Sequence, residues 1–102
     1  METRMPHLFA VTEIRGGPWD RSQPLDGQAG WREHAQFMDR LVEEGFVALG
    51  GPLEGEREVL LIVRAEDEAE VLNRLGPDPW IRSGHLRLGS VLRWTLRLGS
   101  LA

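Results

Sequence analysis

The sequence predicts an α+β domain in the order β-α-β-β-α-β, packed as a four-stranded antiparallel sheet with both helices on one face. Three observations carry that expectation. Residues 30–45 repeat apolar side chains at helical spacing, and residues 86–98 alternate at period two. Between them, short apolar runs are separated by breaks rich in glycine and proline.

Residues 7–14, HLFAVTEI, read as the first strand. β-Branched and aromatic residues are frequent, and both faces are mostly apolar, which suits a central strand. Pro6 fits a strand entrance. Residues 15–28, RGGPWDRSQPLDGQ, form a loop of roughly fourteen residues, longer than the usual connection. That length favours a lid or binding loop, and the alternative is that Trp19 merely anchors the loop to the body.

The first helix follows. Gly30, Trp31, His34, Phe37, Met38, Leu41, Val42 and Gly45 share one stripe, while Arg32, Glu33, Gln36, Asp39, Arg40, Glu43 and Glu44 take the opposite face. Gly45 ends it, because glycine adopts the left-handed conformation at no steric cost. A second strand over 46–49 stops at Gly50-Gly51-Pro52, and a polar turn at 53–57 leads antiparallel into a third strand over 58–64. A second helix covers 66–75, with Glu66, Asp67 and Glu68 in its first turn and Ala65, Ala69, Leu72 and Leu75 as its buried stripe. Gly76-Pro77 ends it. Asp78-Pro79-Trp80 then opens a short helical turn that Gly84 closes, with aspartate at the N-cap and proline at N1. In the last strand, Leu86, Leu88, Ser90, Leu92, Trp94, Leu96 and Leu98 point one way. Arg87, Gly89, Val91, Arg93, Thr95 and Arg97 point the other. The sheet face away from the helices needs a cover, and a second copy of the chain supplies one, so a homodimer is expected.

The 102 residues fit one domain, 1–102. A net charge of −4 argues against nucleic-acid binding, since neutralising phosphates needs a basic surface. All 12 basic residues are arginine. Without cysteine there are no disulfides, no thiolate chemistry and no cysteine-ligated metal, which suits the cytoplasm. The N-terminal residues lack a signal-like succession, and no run approaches the ~20 apolar residues of a membrane span. A soluble, cytoplasmic protein without membrane contact is therefore expected.

His34 stands out as a titratable ring amid an apolar stripe, able to move a proton near neutrality. The alternative is a core histidine satisfied by a backbone carbonyl. Asp78 is the second candidate: its carboxylate could orient His34 and stabilise the imidazolium, although an N-cap aspartate before proline needs no further role. Trp31 and Trp80 flank these two residues and, with Trp19, could wall an apolar pocket or simply pack. His7 and His85 lack ligand spacing relative to His34, so no metal is expected. Gly50-Gly51-Pro52 precedes neither helix nor lysine and is no phosphate loop, and Ser83 and Ser90 lack a nucleophile-elbow context.

The succession His34, Gly45, Gly51-Pro52, Asp78-Pro79-Trp80, Gly84 and Ser90-Val91 resembles the YCII-related (YciI-like) domain family over residues 7–95. The resemblance implies a ferredoxin-like fold dimerising as an α+β barrel, and a histidine–aspartate pair at His34 and Asp78. A few members of that family act on small cyclic or chlorinated aromatic metabolites. Members often carry arginine three residues before the histidine, where this chain has Trp31. Arg32 lies one helical step of ~100° away and cannot replace that side chain. The expected function is a small dimeric enzyme of lyase or isomerase type, acting without cofactor on a small organic molecule. Its expected catalytic pair is His34 and Asp78, with Trp19, Trp31, Trp80, Gly51 and Pro52 as substrate-binding residues. The alternative is a non-catalytic dimeric module that binds a metabolite or a protein.

Overall fold

The computed structural model describes residues 6–101. Its strands are β1 (His7–Arg15), β2 (Val47–Pro52), β3 (Glu58–Ala65) and β4 (Leu86–Trp94). They form one antiparallel sheet in the order β2-β3-β1-β4, so β1 is central, as its two apolar faces require. The helices are α1 (Trp31–Glu43), α2 (Glu68–Leu75) and α3 (Pro79–Ser83), with a short 3-10 turn at Leu25–Gly27. This open sheet and its strand order are compatible with a ferredoxin-like arrangement.

One face of the sheet is covered. Phe9 and Val11 of β1, with Leu61 and Val63 of β3, pack against Leu41 of α1 and against Val71 and Leu75 of α2. Helix α2 starts where its chemistry dictates. The Asp67 carboxylate accepts from the Glu70 amide at 2.8 Å, and the Glu70 carboxylate accepts from the Glu66 amide at 2.7 Å, satisfying donors left open at a helix start.

Four expectations need correction. Strand β2 begins at Val47 and continues through the glycines to Pro52, because Gly50, Gly51 and Pro52 still pair with Leu61, Leu60 and Val59. An edge strand tolerates a terminal proline. Val42 is 53% exposed, at the border of the α1 stripe rather than within it. In α2 the buried residues are Val71 and Leu75, whereas Leu72 is 43% exposed and Ala69 is open, so the stripe is rotated by one residue. Strand β4 ends at Trp94, and its alternation is broken in the middle. Leu88 pairs with Glu13 but Val91 pairs with Val11, so Gly89 and Ser90 together oppose Thr12 in a bulge. Leu86, Leu88 and Val91 consequently face the helices, while Leu92 and Trp94 face away. A side chain at position 89 would meet the Thr12 hydroxyl at 2.6 Å, which explains the glycine there.

The register places Leu8, Ala10, Ile14, Leu60, Ile62, Leu92 and Trp94 on the uncovered face of the sheet. Leu49, at 56% exposed, Leu92, at 64%, and Trp94, at 42%, make it an open apolar surface.

Candidate acid/base site

The site forms at the end of the sheet where β1 stops, α1 begins and α3 leads into β4. Asp78 is fully buried and does two jobs. As N-cap of α3, its Oδ1 accepts from the Trp80 amide at 2.9 Å. The same carboxylate meets Nδ1 of His34 at 2.8 Å through Oδ1 and 3.0 Å through Oδ2. The capping role and the partner role are therefore held by one group. Pro79 pre-sets the first helical residue, and α3 ends after one turn at Gly84, which adopts φ 84°. The tightness of this corner reaches the start of the long loop. The Gly16 amide donates to the His85 carbonyl at 2.9 Å, and a Cβ on Gly16 would lie 2.1 Å from the Gly84 carbonyl oxygen.

His34 projects from the first turns of α1 and retains 12% side-chain exposure. Its ring lies flat on Trp80, with centroids 4.0 Å apart and planes 12° apart. Trp80 is 1% exposed, and its indole N–H donates to the Ala29 carbonyl at 2.7 Å, tying α3 to the residue before α1. Trp31 meets Trp80 at 5.8 Å and His34 at 6.1 Å, and Trp19 meets Trp80 edge-on at 5.1 Å. His85, set aside in the sequence for want of ligand spacing, also lies against Trp80, at 5.9 Å. Gly30 starts α1 with φ 79°, and a side chain there would press on the Trp80 indole nitrogen at 3.2 Å.

Thus Trp31 and Trp80 lie against His34, and Trp19 reaches the pair only through Trp80. Gly51 and Pro52 are not brought to that pair. Gly51 pairs with Leu60 at a register position on the uncovered sheet face. Pro52 sits on the helix-covered side of the sheet and, with Trp19, lines a cavity of about 320 Å³ beneath the 15–28 loop. His34, Trp31 and Trp80 are not among that cavity's lining residues. A broader depression of about 720 Å³, near Phe46, Arg64 and Arg74, involves none of the expected site residues.

Two buried polar side chains beside the site lie outside the sequence reading. Glu13 is 1% exposed on the helix-facing side of β1, and its Oε2 has no hydrogen-bond partner among the described residues. Burial pushes its carboxyl up from 4.5 to about 7, and the Asp78 carboxylate nearby adds to the rise. Two neighbouring buried carboxylates resist sharing two charges, which adds to the effect of burial in favouring the neutral form of Glu13. The signal was its phase: Glu13 follows Phe9 and Val11 at period two on a central strand. Gln28, 3% exposed, is the second. Its side-chain amide donates to the Asp20 carbonyl at 2.6 Å and the Gln23 carbonyl at 3.0 Å, and its side-chain carbonyl accepts from the Asp20 amide at 2.8 Å. The loop is wound around this one side chain, a role no local pattern announces.

Comparison with family models, with curated proteins and with solved structures gives no match to this chain. Among the described residues, no helix is long and apolar enough to cross a membrane, and no group of three or more potential ligands is placed to hold a metal ion.

Proposed function

We propose that this chain is a cofactor-independent acid/base enzyme of lyase or isomerase type, related to the YCII-like proteins it resembles and working in the cytoplasm. The observation that carries the proposal is the short contact of His34 Nδ1 with both oxygens of a fully buried Asp78. With Nδ1–H donating to that carboxylate, the lone pair resides on Nε2, which takes a proton from substrate. Asp78 then stabilises the imidazolium, and Nε2 returns the proton to a neighbouring atom of the substrate or leaving group. The stack on Trp80 fixes the plane of the ring, and the remaining exposure of His34 leaves it an approach. The uncovered apolar sheet face around Leu49, Leu92 and Trp94 supports a homodimer closing the two sheets together as an α+β barrel of ferredoxin-like units.

Proton abstraction is detectable before the substrate is known. A panel of small organic acids, lactones and cyclic metabolites incubated in D₂O reports deuterium uptake by mass spectrometry. Wild type is expected to accelerate exchange in at least one compound, and His34→Gln to lose about 10²–10⁴ of that acceleration. A second reading, a non-catalytic module that binds a metabolite or protein, is favoured by the cavity that Trp19 and Pro52 line without His34. Exchange that is the same for wild type and His34→Gln across the whole panel would select it.

A further inference from the structure

We propose that the cavity beneath the 15–28 loop is a binding site for a small organic carboxylate, an inference that stands on its own geometry and not on the acid/base reading. The cavity, of about 320 Å³, is lined by the guanidinium-bearing residues Arg15, Arg21 and Arg57 and by the apolar surfaces of Trp19, Leu25 and Pro52. Such a volume lies at the small end of ligand sites, the size of a single-ring molecule, and a few polar groups in an apolar wall are what orient a ligand.

The charge is out of character for the molecule. Net charge is −4 over the chain, yet three arginines line this cavity with a single acidic residue, Glu56. None of the three forms an ion pair among the described residues. Arg15 is held in place by two contacts that leave its charge unneutralised. Its guanidinium carbon sits 4.1 Å over the Trp19 ring, and its Nη1 donates to the Glu56 carbonyl. Its Nε is buried and has no hydrogen-bond partner among the described residues. Glu56 presents that carbonyl from a left-handed backbone, φ 58°, in the turn between β2 and β3. A non-glycine residue is uncommon in that region, and here it places the carbonyl that Arg15 donates to. Uncompensated guanidinium groups beside an aromatic and two aliphatic walls match a ligand with one carboxylate and an apolar body.

Benzoate is the probe, titrated into the full chain and followed at the Trp19 indole N–H by NMR. The proposal expects a saturable shift at Trp19 and an affinity that falls as salt is raised. Benzyl alcohol, with the same ring and no charge, should bind at least about tenfold more weakly, as the loss of a charge-assisted contact requires. Arg21 and Arg57 are exposed, so the double variant Arg21→Gln/Arg57→Gln should fold normally and bind benzoate about tenfold more weakly. Arg82→Gln, on α3 and away from the cavity, serves as the control with unchanged affinity. No saturable shift at Trp19, equal affinity for benzyl alcohol or for inorganic phosphate, or an unweakened double variant would overturn the proposal. Because no turnover is measured, failure here and failure of the acid/base reading are read out separately.

Discussion

Replacing Glu13 by glutamine isolates the energetic burden of a carboxyl buried beside Asp78. The folded-state value of about 7 stands against 4.5 for an ordinary glutamate. The folded protein therefore binds more protons than the unfolded chain throughout that interval, and stability must fall as pH rises through it. The contribution of Glu13 is flat below 4.5, declines up to about 7, and is flat again above. At about 1.4 kcal/mol per pKa unit, the difference corresponds to roughly 3 kcal/mol, a large share of the stability of a small domain. Glutamine keeps the shape and removes the ionisation. Urea unfolding of both proteins, at several pH values between about 4 and 8, should show wild type losing about 3 kcal/mol relative to Glu13→Gln across this window. Above the window, the variant is expected to be relatively favoured. A stability difference that does not change with pH would show that the surroundings do not favour the neutral form of Glu13.

Gly16→Ala should destabilise the fold by about 1–3 kcal/mol or more, seen in thermal unfolding, because the new methyl meets the Gly84 carbonyl in the corner that carries Asp78. Sedimentation should give wild type the mass of a dimer and Leu92→Glu the 11.5 kDa of a single chain, since a charge on the uncovered sheet face opposes apolar pairing. A monomeric wild type would remove the dimer from the account. Trp80→Phe keeps an aromatic surface for His34 but loses the indole bond to the Ala29 carbonyl, and should cost about 1 kcal/mol in urea unfolding.

What the sequence made legible follows the strength of each local signal. The period of α1, the Asp-Pro start of α3 and the apolar run of β1 each point to one structure, and each element lies where its pattern puts it, to within a residue or two. His34 and Asp78 could be nominated individually, but their contact spans 44 residues and depends on how α1 and α3 dock, which no local spacing encodes. Glu13 lies in a strand whose two faces are both mostly apolar: a single carboxylate in phase with Phe9 and Val11 is legible only once those two are known to face the helices. The bulge at Gly89-Ser90 defeated simple alternation, since both phases of β4 carry leucines and periodicity alone cannot register a skipped residue. In α2, Val71 and Leu72 are both strongly apolar, and an eight-residue helix gives too few repeats to fix the phase.

The tautomer and bonding of the His34 ring test the central claim most directly. Nitrogen-15 NMR of ring-labelled protein should show Nδ1 protonated, with a slowly exchanging proton shifted downfield by a charge-assisted bond, and Nε2 bare. Asp78→Asn should abolish that downfield proton while the Trp80 amide remains capped. An Nε2–H tautomer in wild type, or a His34 spectrum indifferent to Asp78→Asn, would contradict the pairing on which the proposed chemistry depends.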